Sequence, residues 1–401
     1  MTVPPQDRLV EYTIRVANPA QEVQHAKARF VMWSNNLSWD DFWAVDRRER
    51  AEAEWGIDGR LLTWALVRKD DLEGDTYAGC ETYRWNGWVK RKRSDKVDDG
   101  YIYGIASVVT PKQHLRNGYA TRLLSLLHHQ LGPSSTLPPF PESWGAPPPL
   151  SAKTVPEAIG SILWSDVGST FYSRCRMSLH RPGWSVKDSQ NTELVWKILP
   201  PSSKSTSPSI DQLEDSWEWL YETDLTSIGE ELSAAVKHRI QRTDTTERSV
   251  FVQDPASPGI LSFVPLIGSW NRLSKRINQP IGLRIKSPSP TGEDTIVLFA
   301  LHNGSIGARF LITCIHNLIP AQLPAVLRVL DVLAAQAGHK EGWVWDLGLS
   351  NDLVHAWSGL TEREVVVGRR QESGGHLLGT AWYGTEEEEG QVMEGEMWTW
   401  C

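Results

Sequence analysis

Cysteine is scarce in this sequence. Cys80, Cys175, Cys314 and Cys401 are the only four in 401 residues, and no two form a CxxC pair. That pattern excludes a disulfide scaffold and offers no zinc-ligand spacing, so no metal is expected. Positive charge is not in excess either. There are 41 Lys and Arg against 49 Asp and Glu, a net charge of -8. Nothing in that balance draws the chain to nucleic acid or to an anionic membrane. No apolar run approaches the roughly 20 residues of a membrane span. The start, Met1 to Asp7, lacks the basic and apolar regions of a secretory signal. The expected location is therefore cytoplasmic, where the glycosylation patterns at Asn36 and Asn303 are chance matches.

Tryptophan, in contrast, is abundant: twenty are spread from Trp33 to Trp400. The spread argues for anchors in several cores rather than for one site. A chain this long exceeds one compact core and implies two domains. Leu199-Pro200-Pro201-Ser202-Ser203-Lys204-Ser205-Thr206-Ser207-Pro208-Ser209 is the clearest linker. The expected division is thus 1–198, a linker at 199–209, and 210–401.

Asn18-Pro19 reads as an N-cap followed by proline at the first helical position. A more polar helix is expected over Asp40 to Glu54. Leu61 to Val67 and Tyr77 to Tyr83 read as strands. Lys90-Arg91-Lys92-Arg93 and the acidic run Glu386 to Glu389 read as solvated loops. Pro133 to Ser151 reads as an irregular surface insertion. In the second half, Leu323, Val326, Leu327, Leu330, Leu333, Ala334 and Ala337 recur at helical spacing, and a strand follows at Trp343 to Asp346. This weakly echoes the first half, but no glycine loop precedes the helix, so no cofactor is expected there.

The segment with most chemical content is Tyr101 to Leu131. Tyr101 to Val109 is a nearly unbroken apolar, β-branched run, as in a central strand. The loop Thr110 to Gly118 follows, and then a helix with Ala120, Leu123, Leu124, Leu127 and Leu131 on one face. The first amides of a helix have no intrahelical partner, and with the helix dipole they suit an anion such as a pyrophosphate. Gly118 lets the backbone come close, and Arg116 adds charge at the mouth. Alone, Gly-x-Ala at a helix start reads equally well as tight packing.

Arg116-Asn117-Gly118-Tyr119-Ala120 resembles motif A of the GNAT superfamily of N-acetyltransferases, Gln/Arg-x-x-Gly-x-Gly/Ala, with Leu115 in the Gln/Arg position. The resemblance implies an α+β fold: a GNAT-type mixed, splayed sheet with flanking helices, followed by a second α+β domain. It implies acetyl-CoA as co-substrate in a V between two parallel strands. Val108 and Val109 would pair with the pantetheine arm, and the amides of Arg116, Asn117, Gly118, Tyr119, Ala120 and Thr121 would hold the pyrophosphate. In Ile162 to Cys175, Tyr172 falls where the superfamily places a phenol near the CoA sulfur, as the general acid for the departing thiolate. A short helix is expected to start near Phe171-Tyr172.

Cys80-Glu81-Thr82-Tyr83, Gly104 to Pro111, Gly118-Tyr119-Ala120, Trp164 to Gly168 with Phe171-Tyr172, Trp382-Tyr383-Gly384 and Trp398-Thr399-Trp400 together look like the fungal lysine N6-acetyltransferase family. Where that family tends to have glycine after Arg174-Cys175, this chain has Arg176. The resemblance implies transfer of acetyl to the ε-amine of free L-lysine, a first step of lysine degradation. Another amine, such as a polyamine or a protein lysine, and a non-catalytic scaffold of the same fold remain the alternatives.

Direct attack of an amine on a thioester needs a proton acceptor and an oxyanion donor. A backbone amide near Val109 could serve as the donor. Glu81, an acid in an apolar and hydroxylic stretch, is the first candidate base, because burial would raise its pKa. Outward placement on the strand fits its spacing equally well. Asp166 is the second candidate, as base or as anchor for the substrate's α-ammonium. A helix N-cap is the plainer reading of Asp166. His128-His129 is expected to serve a surface role at its helix C-terminus. Cys175 lacks the partner pattern of a nucleophile. The second domain is expected to form one wall of the amine pocket.

Overall fold

A computed structural model describes residues 9–34, 36–149, 155–199, 217–270, 279–287, 292–304, 307–348 and 351–400. The chain enters through strand β1 (Tyr12–Val16) and two helices, α1 (Pro19–Trp33) and α2 (Trp39–Glu52). Asn18 closes a capping box with Gln21: its Oδ1 accepts from the Gln21 amide at 2.9 Å, and the Gln21 side chain accepts from the Asn18 amide at 3.1 Å. Ser38 caps α2 through the Asp41 amide.

Then come β2 (Leu61–Arg68), β3 (Ala78–Lys90), β4 (Val97–Val109), α3 (Tyr119–Leu131), β5 (Ala158–Ser165), β6 (Ser185–Val186) and β7 (Thr192–Lys197). The second half runs β8 (Trp217–Leu220), α4 (Leu225–Arg242), β9 (Ser249–Gln253), α5 (Ile260–Trp270), β10 (Gly282–Ile285), β11 (Thr295–Gly304) and β12 (Gly307–His316). It ends with α6 (Leu323–Gln336), β13 (Glu341–Trp345), α7 (Asp352–Ser358), β14 (Val366–Arg369), β15 (Leu377–Trp382) and β16 (Gly390–Val392).

The first sheet has the order β1-β2-β3-β4-β5-β15-β6, with β9 and β16 continuing from the far end of β3. Its β4 and β5 are parallel and the other neighbours along that path are antiparallel, so the sheet is mixed as expected. The second sheet has the order β14-β7-β13-β12-β11-β10-β8. Helix α3 covers one face of the first sheet through Leu123, Leu124 and Leu127, which meet Trp64, Cys80 and Tyr103. The opposite face carries Tyr83, Trp85, Ile102 and Trp164. These pack with α4, α5 and residues of the second sheet, including Leu298, Leu311 and Trp345, in one continuous core. Helices α6 and α7 cover the far side of the second sheet.

Residues 200–216, which include most of the expected linker, lie outside the described residues, and the strands before and after them are exchanged between sheets. β7 precedes it and pairs with β13 and β14 in the second sheet. β9, β15 and β16 follow it and belong to the first. The expected division at 199–209 is therefore not a division between sheets. Composition marks where backbone is exposed, not which sheet edge a distant strand completes.

Several local expectations change for the same reason. Lys90 is not in a solvated loop: it ends β3, buried, with Nζ donating to the carbonyls of Gln241 and Thr243 at 2.9 and 2.8 Å. The basic and acidic runs meet, through Arg91–Glu388. His128 is fully buried, bonded to the Tyr383 hydroxyl and the Cys175 carbonyl, and His129 bonds the Met177 carbonyl. Neither serves the expected surface role, because β15 and the segment after β5 close over the end of α3. Leu137 and Trp144, within the proline-rich insertion, are buried.

Candidate active site

Strands β4 and β5 pair from Tyr101 and Ala158 up to Ile105↔Leu163, and there the pairing ends. β4 continues to Val109 and β5 to Ser165. The cause is a bulge. The β3–β4 register shifts between Gly79↔Val109 and Glu81↔Ala106, and Ser107 in between takes φ 52°. An extra residue bends its strand, here away from β5. The result is a V with Ala106 to Val109 on one wall and Trp164 to Asp166 on the other. Val109 is buried and Val108 half-buried.

At the end of the Val109 wall, the loop turns into α3 with Arg116 at φ 67° and Gly118 at φ 82°. Gly118 is the N-cap and supplies no side chain to the helix end. Arg122 is the first residue to close a bond onto it, its amide reaching the Gly118 carbonyl at 2.9 Å. Among the described residues, the amides of 116–121 donate no hydrogen bond to a backbone or side-chain acceptor of the protein. Consecutive unbonded amides at a helix start, turned by left-handed residues, form a concave anion-binding nest. Arg116 is exposed beside it. Arg116 to Thr121 thus present a run of unbonded amides at the start of α3, a set that suits an anion.

The helix expected near Tyr172 is a single 3-10 turn, Tyr172–Arg174. Gly183 donates back to the Ser173 carbonyl, and the Cys175 carbonyl lies where a Gly183 side chain would stand, so the segment folds over before a helix can extend. Tyr172 packs on the α3 face of the sheet with Phe171 and Trp184. Burial first, then the Cys175 thiol and Asp166, push its phenol above the ordinary range, so it carries its proton at neutral pH. Cys175 hydrogen-bonds the Thr121 side chain, which ties this turn to the start of α3. Burial also raises the Cys175 thiol, so no thiolate nucleophile forms.

Glu81 departs from expectation. It is buried, but on the face opposite α3, inside a closed set of four charges. It accepts from Arg29 at 2.9 Å and from Arg50, while Asp46 accepts from the same two arginines. Burial alone would raise its pKa. Arg29 and Arg50, with a hydrogen bond from Ser107 of the bulge, outweigh that and hold the carboxyl below its ordinary value. The raised pKa that would suit a base is absent because α1 and α2 each deliver a guanidinium, which no local reading of Cys80-Glu81-Thr82 shows.

Asp166 does not cap a helix. Its half-exposed carboxylate meets His376 Nδ1 at 2.8 Å. Leu377 of β15 pairs with Ser165, so His376 lies at the same level of the sheet as Asp166. Its ring lies 5.2 Å from Trp400 and 5.8 Å from Trp345, and Trp345 stacks on Trp164 at 5.2 Å. Arg370, fully buried, donates to the His376 carbonyl at 2.6 Å and to Asp346 at 3.3 Å. Burial, only partly offset by Arg370, lifts Asp346 to about 7. No local signal in the sequence marks this group, since its members converge from four separate segments. Among the described residues no cluster of three or more His, Cys, Asp or Glu could hold a metal ion.

No protein-family model matches the chain. Over 149 residues it is 28% identical to a lysine acetyltransferase of Yarrowia lipolytica, and the match spans 35% of this chain and 35% of that relative. A GCN5-related N-acetyltransferase from Kribbella flavida overlays 93% of this chain and 72% of its own, at 12% identity and a TM-score of 0.46. One from Anabaena variabilis overlays 92% and 72%, again at 12% and 0.46.

Proposed function

We propose that this protein is an acetyl-CoA-dependent N-acetyltransferase for a small amine, and that the acceptor is the ε-amine of free L-lysine. One observation carries the reading: a splayed parallel pair, β4 and β5, opens beside an anion nest at 116–121. A bent, extended ligand with a pyrophosphate at one end and an acyl thioester at the other fits that pair of features. The pyrophosphate takes the amides at the start of α3. The pantetheine arm adds to the free edge of β4 at Val108 and Val109, and the thioester lies deep in the V. An amide near Val109 faces the carbonyl oxygen as it gains charge. Tyr172, protonated and on the α3 side, donates to the sulfur as the C–S bond breaks.

Lysine as the acceptor is supported by the similarity to the Yarrowia protein and by the half-exposed Asp166 carboxylate at the opposite wall, which suits an ammonium group. The test is release of free CoA from acetyl-CoA, with free lysine, ornithine, polyamines and a lysine peptide offered in turn. Turnover with free lysine and not with the others is the expected result. Turnover only with another amine discards lysine and keeps the chemistry. Failure to bind acetyl-CoA overturns the whole reading.

A further inference from the structure

Given the acetyltransferase reading, we propose that His376, oriented by Asp166, is the general base that takes the proton from the acceptor amine. The geometry is that of an oriented imidazole. Asp166 holds Nδ1 at 2.8 Å, so the neutral ring carries its hydrogen there and presents the lone pair of Nε2. Nε2 is buried and has no hydrogen-bond partner among the described residues. A buried polar atom left without a partner in a folded protein calls for a role. The backbone points the same way. His376 sits at φ 48°, a left-handed conformation that is strained for a residue with a side chain. That conformation follows Gly374 and Gly375 and sets the ring at the start of β15.

β4 and β5 part at Ile105↔Leu163, and Asp166 lies three residues beyond that point, as Val108 does on the other wall. Trp164 of β5 faces the core that also holds Trp345, against which His376 and Trp400 pack, whereas Tyr172 belongs to the α3 face. His376, held against Asp166 of that wall, and Tyr172 thus lie on opposite faces of one sheet. Separate placement suits the reaction, because the base acts on the entering nitrogen and the acid on the departing sulfur. Glu81 cannot take this role while two arginines hold it.

The ammonium proton passes to Nε2 and on to solvent. The freed amine adds to the acetyl carbon, forming the C–N bond. The C–S bond breaks as Tyr172 gives its proton to sulfur, and the second nitrogen proton restores the phenol. Trp400 is half-buried and packs on the imidazole, so amine entry moves that indole aside.

The experiment measures kcat, acetyl-CoA Kd and melting temperature for the full chain and for His376→Ala and Asp166→Asn. His376→Ala is expected to lower kcat about 100-fold or more, with Kd within about 2-fold. Added imidazole is expected to restore turnover in proportion to its neutral form. Asp166→Asn keeps the ring, loses its orientation, and is expected to lose about 10-fold in kcat. A folded His376→Ala that turns over within about 3-fold of the native protein overturns the proposal, as does a loss that imidazole cannot restore. Should His376→Ala fail to fold, Asp166→Asn decides: unchanged kcat overturns it. Native protein that neither binds nor turns over acetyl-CoA removes the acetyltransferase reading, a result distinct from native turnover that survives the substitutions.

Discussion

Gly118 shows how one residue serves both the fold and the site. At φ 82° it turns the chain into α3, and as the N-cap it supplies no side chain to compete for the free amides. Gly118→Val adds a β-branched side chain to a left-handed residue and places its methyls over the nest. The expected outcome is a loss of about 1–2 kcal/mol in stability and an acetyl-CoA Kd raised at least about 10-fold, measured by calorimetric titration. Tyr172 separates binding from chemistry. Its hydroxyl is assigned to the leaving sulfur and not to the CoA chain. Tyr172→Phe is therefore expected to lower kcat about 10- to 100-fold while Kd stays within about 2-fold, and an equal rise in Kd would remove the assignment.

Elements act through the charges they carry to the sheet. Arg29 on α1 and Asp46 and Arg50 on α2 meet Glu81 on β3, and Ser107 of the β4 bulge joins them. The set locks two helices against β3 and reaches the β4 bulge through Ser107. Removing one member leaves a buried charge without its partner, which costs about 3–5 kcal/mol. Glu81→Gln is expected to lower the melting temperature by several degrees and to raise acetyl-CoA Kd through the loosened bulge. The pH sign follows from the lowered pKa. Glu81 gives up its proton more readily in the folded state, so its stabilisation is present above the unfolded value of about 4.3 and is lost as pH falls through the folded one. Melting curves from pH 6 downward should drop more steeply for the native chain than for Glu81→Gln.

A second pair of elements shows what makes a site. β12, α6 and β13 repeat the order of β4, α3 and β5, and β12 and β13 pair in parallel only at Phe310↔Gly342 and Leu311↔Trp343. The amides entering α6 are satisfied within the turn: Gln322 reaches the Ile319 carbonyl, Leu323 the Pro320 carbonyl, and Ala325 and Val326 that of Gln322. The Gln322 side chain also accepts from the Ile319 amide. The same supersecondary unit is thus closed where glutamine caps the helix and open where glycine does.

In the whole molecule, the two sheets are bound by strand exchange. β15 completes the first sheet beside β5, and its pairing brings His376 against Asp166 at the wall of the V. Cleavage within 200–216 is therefore expected to leave both fragments together on size exclusion, with acetyl-CoA binding retained. A separately expressed fragment 1–199 lacks β9, β15 and β16 and exposes the β5 edge, and is expected to be unfolded or aggregated. Recovery of that fragment as a folded, acetyl-CoA-binding monomer would contradict the exchange.

The sequence by itself determined the local pieces: the Asn18 cap, the apolar strand at Tyr101 to Val109, and the glycine-bearing start of α3 with its unbonded amides. These are legible because each depends on neighbours within a few residues. The splay of β4 from β5 was legible only through resemblance, since a bulge at Ser107 leaves no mark of its own in composition. The tertiary structure alone decided the ionisation of Glu81, the burial of His128, the exchange of β7 and β15 between sheets, and the meeting of Asp166 with His376. Each of those is fixed by a partner far along the chain. A carboxylate, an imidazole or a strand edge takes its chemistry from whatever burial and charge that partner brings.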